Sequence, residues 1–267
     1  MTAYHQGIAR SLERSHEPFI RPSYGAAMRT IPLVTIAVLL AACGGSEAAP
    51  YALPQGGEPV ELDPADFVEK IDNEYWPMAA GNRWVYRETD GEGTEQRIVV
   101  TVTERKKTIL GIVATVVHDR VTENGEIVED TDDWYAQDKW GGLWYLGEAT
   151  TEYEDGKPAT TAGSWEAGVD GAQAGLIIPP DPMAGMAYRQ EYYAGEAEDR
   201  GKILSLDARA TVPYGSFDGL LKTEDTTPLE PDVLENKFYA KGVGPILAIA
   251  VSCGGRQELL RFTEGRK

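Results

Sequence analysis

From Asn82 onward apolar and polar positions alternate at a period of two, and turn residues break the alternation at short intervals. NRWVYRETDGEG and EQRIVVTVTERKKTILG are rich in β-branched and aromatic residues and predict strands. IVATVVHDRVTENGEIVEDTDDWYAQ contains Asn124-Gly125, the strongest two-residue hairpin signal, and predicts two strands closed by that turn. A tight turn at Gly141-Gly142 leads into LWYLGEATTEY, so five successive strands with short connections predict an antiparallel meander. Residues 155–187 hold glycines and prolines with little periodicity and read as a long loop covering one end of the sheet. Strands resume near YRQEYYAGEAEDRGKILSLDARATVPYG, FDGLLKTEDTTPLE, VLENKFYAKGVGPILAIAV and RQELLRFTE.

Ahead of the meander, Asp63-Pro64-Ala65-Asp66 supplies an N-cap, a proline at the first helical position and an acid in the first turn. Phe67, Val68 and Ile71 follow at helical spacing, which predicts a short helix over 64–73. The expected fold is mostly all-β, with a single domain over 63–267 and no internal repeat. Its antiparallel meander forms a curved sheet around that one short N-terminal helix, or closes into a partly open barrel.

The segment before this domain has a different pattern. Residues 31–42 are apolar or small, too short a run for a membrane-spanning helix but the length of a signal-peptide core. Met28-Arg29-Thr30 precedes it as a minimal basic start, which makes Met28 a candidate true start and residues 1–42 a leader. Leu40-Ala41-Ala42-Cys43 resembles the lipobox of bacterial lipoproteins. The resemblance implies cleavage before Cys43, a diacylglyceryl group on its thiol, and a location on the extracytoplasmic face of a membrane. Two acyl chains at about 0.8 kcal/mol per buried methylene anchor a protein stably where one does not. Residues 44–61, rich in Gly, Pro, Ala and acids, read as a flexible tether, so lipidated cysteine and tether together occupy 43–62. WPMAAGNRWVYR and FYAKGVGPILAI resemble the opening and closing signatures of a loose set of bacterial lipoproteins, on Pro77, Gly81, Trp84 and Tyr86, then Tyr239, Ala240, Gly242, Val243 and Gly244. DWYAQDKWGGLWYLGE is similar to a central segment of actinobacterial members. That set implies an anchored extracytoplasmic β-domain and supplies no catalytic residues.

Charge narrows the partners. The chain carries a net charge of -18. Residues 1–42 hold four arginines and two glutamates, net +2, so their removal leaves -20. That balance argues against nucleic acid and anionic lipid surfaces as general partners. Cys43 and Cys253 are the two cysteines; with Cys43 lipidated no disulfide forms within the chain, and a hydrophobic core must hold the fold. His118 is the one histidine after residue 42, which excludes a multi-histidine metal site within one chain.

Three groups are candidates for chemistry. If Asn124-Gly125 closes a two-residue hairpin, paired positions sum to 249. Arg120 then faces Glu129, and Asp119 faces Asp130 with Asp132 on the same face, while Asp133 points away. Like charges placed opposite one another need an offset, and a calcium ion on Asp119, Asp130 and Asp132 would supply it. A neighbouring basic side chain or a solvated acidic face is the simpler solution. Trp134, Trp140 and Trp144, with Tyr135 and Tyr145, could form a platform for sugars or flat apolar ligands, although aromatics in strands more commonly pack the core. His118 would lie beside Thr131, with no local nucleophile or orienting group, so it is not assigned a catalytic role. Paired carboxylates can always be drawn from 43 acidic residues and carry no information by themselves.

The expected role is a membrane-anchored binding or envelope-maintenance module for a hydrophobic small molecule, a glycan or another protein. The alternatives are an extracytoplasmic hydrolase with a loop-built site, and a structural interaction protein.

Overall fold

The structure is a computed structural model and describes residue 49 and residues 51–265. Cys43, the lipobox and the leader lie outside the described residues.

The expected meander is present. β1 (Phe67–Val68) is followed by β2 (Arg83–Thr89), β3 (Glu95–Ile109), β4 (Ile112–Glu123), β5 (Glu126–Asp138) and β6 (Leu143–Glu154). β7 (Lys157–Thr160), β8 (Trp165–Glu166), β9 (Gln173–Ile178), β10 (Ala187–Arg189) and β11 (Glu191–Tyr192) come next. β12 (Arg200–Val212), β13 (Gly215–Thr226), β14 (Leu234–Ala240), β15 (Gly244–Ala250) and β16 (Arg256–Thr263) complete the chain. All pairings are antiparallel, and the main path runs β10-β12-β13-β14-β15-β16-β2-β3-β4-β5-β6-β9-β11. The last elements of this path at either end, β10 and β11, are consecutive in the chain and separated by Gln190 alone. The sheet is therefore a nearly closed barrel with one seam, and residues 187–192 run along that seam. They pair with β12 on one side through Ala187↔Lys202 and with β9 on the other through Glu191↔Ala174.

The seam demands close approach. A Cβ on Gly175 would lie 2.3 Å from the Gln190 carbonyl oxygen and 2.7 Å from that of Arg189. Both obstacles are backbone and cannot swing aside. Gly175→Ala is expected to cost about 1–3 kcal/mol, read as a lower urea midpoint at unchanged m-value; a midpoint equal to wild type would show that the seam tolerates separation.

Three expectations need correction. Asp63 does cap Pro64–Asp66, its side chain accepting from the Ala65 N–H, but the helix stops after that single 3₁₀ turn. Phe67 and Val68 instead pair with Asp138 and Gln137, extending β5 where β4 has ended, and Phe67 packs on Trp144. Tertiary pairing overrides helical spacing there, and the barrel encloses side chains in place of a helix. Residues 155–187 are not a structureless loop, because they contain β7, β8 and β9, which line the edge of β6. The segment 51–62 is not a free tether. Leu53, Val60 and Leu62 pack on the core, Pro54 is buried, and the Pro54 carbonyl accepts from the Arg189 N–H at 2.6 Å.

Arg189 fastens that segment down. Its guanidinium is buried and donates to the Ala174 carbonyl at 2.8 and 3.2 Å, to the Glu58 carbonyl at 2.8 Å, and to the Gly56 carbonyl. Gln55 Nε2 adds a bond to the Ala187 carbonyl at 2.7 Å. One side chain thus joins β9, the seam strand and the N-terminal strap.

Candidate functional site

Alternation along the strands turns one set of side chains into the barrel, and that set is unexpectedly acidic. Glu88, Asp119, Glu129, Asp133, Glu148, Glu191, Asp225 and Glu235 are all buried. The Lys237 ammonium sits 2.9 Å from Asp225 and 3.0 Å from Glu235. The Tyr145 hydroxyl lies 2.7 Å from Asp133 and 3.0 Å from Glu148, and the Thr131 hydroxyl donates to Glu129 at 3.1 Å. Burial, reinforced by neighbouring carboxylates, pushes Glu88 up to about 8, and burial pushes Asp119 and Glu129 to about 7. Lys237 moves the other way from a desolvated amine: Asp225 and Glu235 outweigh its burial and hold it charged.

These groups enclose little space. A cavity bounded by Trp76, Tyr86, Val100, Asp119, Asp133 and Lys237 has a volume of about 40 Å³. At roughly 10–15 Å³ per water, that holds about three waters, and polar atoms there would use them: Asp119 Oδ1 and Trp76 Nε1 have no hydrogen-bond partner among the described residues. Pockets that bury a drug-sized ligand run to about 300 Å³ or more. Among the described residues this interior cavity has room for solvent and is too small to enclose an acyl chain or a sugar ring.

The hairpin acids separate. Pairing across Asn124-Gly125 begins as expected with Glu123↔Glu126 and Thr122↔Ile127, but a bulge then makes Val121 pair with Glu129, leaving Val128 as the extra residue. Beyond it pairs sum to 250, so Asp119 faces Thr131 on the interior, Arg120 faces Asp130, and His118 faces Asp132. Asp130 accepts from Arg120 Nε at 2.7 Å, and Asp132 accepts from both Arg105 terminal nitrogens at 2.6 Å and stands 3.0 Å from His118 Nδ1. The three aspartates drawn together for calcium therefore do not meet. Basic side chains, the simpler alternative, satisfy the outer two. Among the described residues no group of three or more His, Cys, Asp or Glu side chains is arranged to hold a metal ion.

The tryptophans divide as well. Trp134 is buried on the outer face under Lys107, whose Nζ lies 3.3 Å from the ring centroid and pairs with Glu166 at 2.7 Å. Trp140 and Trp144 come together around Tyr51, with ring centroids at 5.8 and 5.3 Å, and Phe67 adds a fourth ring 6.4 Å from Trp144. Asp138 fixes this cluster. One of its oxygens accepts from the Trp140 and Gly142 N–H groups, both at 2.9 Å; the other accepts from Trp144 Nε1 at 2.8 Å and from the Tyr51 hydroxyl. Burial, with Asp138 alongside, raises the Tyr51 pKa, so the phenol stays protonated and donates.

Around the cluster lies an open groove of about 400 Å³, with Tyr51, Phe67 and Trp140 half-buried and Trp144 beneath them. Carboxylates of Glu61, Asp63, Asp66 and Asp138 line it. Asp66 pairs at 2.8 Å with Lys139, whose ammonium also lies 4.6 Å from the Trp140 centroid. Tyr51, Phe67 and Asp138 belong to this site and were not among its sequence candidates. The available signal was Tyr51 itself, an aromatic in an otherwise Gly, Pro and Ala-rich stretch.

No protein-family model matches the chain. No curated protein sequence matches it significantly. Two solved structures are similar in fold. One, named as an exported protein with a YmcC-like fold from Bacteroides fragilis, has 11% identity and a TM-score of 0.42, covering 72% of this chain and 100% of that one. The other, named as a lipoprotein from Parabacteroides distasonis, has 13% identity and a TM-score of 0.41, covering 72% of this chain and 99% of that one.

Proposed function

We propose that the chain is a lipid-anchored extracytoplasmic binding module, held to a membrane through Cys43, that takes a glycan in the groove over Tyr51, Phe67, Trp140 and Trp144. The groove itself carries this reading: its half-buried rings Tyr51, Phe67 and Trp140 offer apolar surface to the C–H face of a sugar, and the rim carboxylates accept its hydroxyl hydrogens. Its volume of about 400 Å³ suits one or two sugar units, whereas the interior cavity of about 40 Å³ disfavours carriage of a hydrophobic molecule inside the barrel. A hydrolase has the raised carboxyls Glu88, Asp119 and Glu129 in its favour, but all three are buried and the cavity that Asp119 lines has room for water only.

The test is calorimetric titration of the soluble chain from Gly44 with envelope polysaccharide fragments of the host. Trp140→Ala is expected to weaken binding about tenfold, equivalent to about 1.4 kcal/mol, while Trp134→Ala, under its lysine, leaves binding intact. Equal affinity in wild type and the Trp140 variant, or no binding to any fragment, would remove the groove from consideration.

A further inference from the structure

The hairpin connections at the two ends of the barrel differ in chemistry. One end, formed by the connections β2–β3, β4–β5, β6–β7, β13–β14 and β15–β16, presents Asp90, Glu92, Glu126, Glu154, Asp155 and Asp232, with Leu229 and Val251 the exposed apolar side chains among them. The other end, formed by β3–β4 and β5–β6, lies beside the Pro64–Asp66 turn and Tyr51, where the continuously described chain begins. Near it lie Lys106 and Lys107 at the end of β3, Lys139 in the β5–β6 connection, and a group of exposed apolar side chains. Val68 is 37%, Leu110 51%, Val113 58% and Val169 48% exposed.

Three observations make this group one surface. A Cβ on Gly111 would lie 3.0 Å from Pro64, so the β3–β4 tip rests on the turn that leads into Val68. A Cβ on Gly168 would lie 2.4 Å from the Leu110 side chain, which brings Val169 beside that tip. Lys107 reaches from the same hairpin to Glu166 at 2.7 Å, holding it down over β8. Large apolar side chains left in water at adjoining positions mark an interaction surface.

We propose that this end of the barrel is seated on the lipid bilayer, with Leu110, Val113, Val169 and Val68 entering the headgroup region and the acidic end directed away from it. The inference rests on the reading of Cys43 as the lipidated residue and adds an orientation to it. Chain length selects the end. Between Cys43 and Tyr51 there are eight residue steps, which span at most about 29 Å fully extended. Tyr51 bonds to Asp138, and β5 runs from Asp138 back to Glu126 beside the Asn124-Gly125 turn. Twelve steps at about 3.4 Å put that turn about 41 Å from Tyr51. Barrel strands tilt by about 35–45°, so that length amounts to about 29–34 Å along the axis: standing on its acidic end the barrel needs the leash at or beyond full extension, whereas the other end leaves it slack. Charge does not select the end, because Glu61, Asp63 and Asp66 lie on this end too and Lys107 and Lys139 are paired with Glu166 and Asp66. The aromatic groove then opens close to headgroup level, where the glycans available are those attached to lipids.

The experiment uses chemical coupling, so that it does not depend on whether a cell lipidates the protein. A Cys253→Ser chain beginning at Cys43 is joined through that thiol to a maleimide-bearing lipid in vesicles of phosphatidylcholine and phosphatidylglycerol. Amide hydrogen exchange is then compared between coupled and free protein. Expected is a loss of deuterium uptake in peptides covering residues 66–70, 109–113 and 167–171 on coupling, with uptake unchanged at 90–94, 124–126 and 154–156. Introducing Leu110→Asp with Val113→Asp should restore uptake at the first set while the protein remains coupled. Protection of the acidic turns, or identical uptake in coupled and free protein, would overturn the orientation. The anchor is tested separately by membrane fractionation of cells carrying Cys43→Ser: release supports lipidation, and retention sinks the anchor while leaving the vesicle result interpretable.

Discussion

Urea unfolding is expected to show stability falling by several kcal/mol as pH rises from about 5 to about 8, the reverse of the usual acid sensitivity. Glu88, Asp119 and Glu129 have folded pKa values raised to about 8, 7 and 7. A carboxyl of this kind keeps its proton in the folded barrel after the unfolded chain has released it. Its contribution is therefore most favourable below about pH 4, near the unfolded value, is eroded as pH climbs, and levels off above the folded value. Each such proton steepens the loss by about 1.4 kcal/mol per pH unit. Carboxyls shifted the other way do not cancel this. Asp132 and Glu258 are held low by hydrogen bonds from Arg105 and His118, and from Arg87 and Arg256, against the effect of burial. Their contribution is lost only as pH falls below about 4. Glu88→Gln keeps the shape of the side chain and removes the most strongly raised of these three carboxyls, so it should stabilise the protein above about pH 7 and flatten the upper part of the profile. A urea midpoint that does not change between those limits would mean that solvent reaches the interior acids freely.

The second large effect belongs to Arg189. Arg189→Ala removes every bond from its side chain to the carbonyls of Ala174, Gly56 and Glu58 and leaves a void at the seam. Hydrogen bonds from a charged donor contribute about 1.5–3 kcal/mol each, so a total loss of about 4 kcal/mol is expected. Arg189→Lys should recover only part of it, because a single ammonium lacks the planar fork that reaches strap and β9 together. Hydrogen exchange should locate the change at residues 173–178 and 187–192. A loss below about 1 kcal/mol would show that the strap adds little to closure.

Much of the fold was legible because its signals are local. Asn124-Gly125 needs no knowledge of distant residues to specify a hairpin, and the alternation in β2 to β6 reports directly on a sheet with one buried face. Long-range competition decided the rest. Phe67 and Val68 sit at helical spacing after a sound N-cap, yet the free edge of β5 and the ring of Trp144 claim them. The extra residue Val128 is invisible to pattern counting, and it reverses the faces of everything paired beyond it, sending Asp119 inward and away from Asp130 and Asp132. For the groove, Trp140 and Trp144 were recognisable as candidates, but Asp138 was one acid among many. Its role emerges only where the β5–β6 turn folds two N–H groups and an indole onto it.

The strap also sets an order of events. Gly56 and Glu58 meet Arg189 across 133 and 131 residues of chain, so a piece near the start of the domain completes its bonds only after more than half of it has followed. Contacts of such long range form late. Until they do, β9 and β12 stand as unpaired edges, open to strands from neighbouring molecules. As the chain emerges from its N-terminus, the interval between the arrival of Gly56 and the arrival of Arg189 is the period of greatest exposure to aggregation, and that is where a chaperone would have the most to protect.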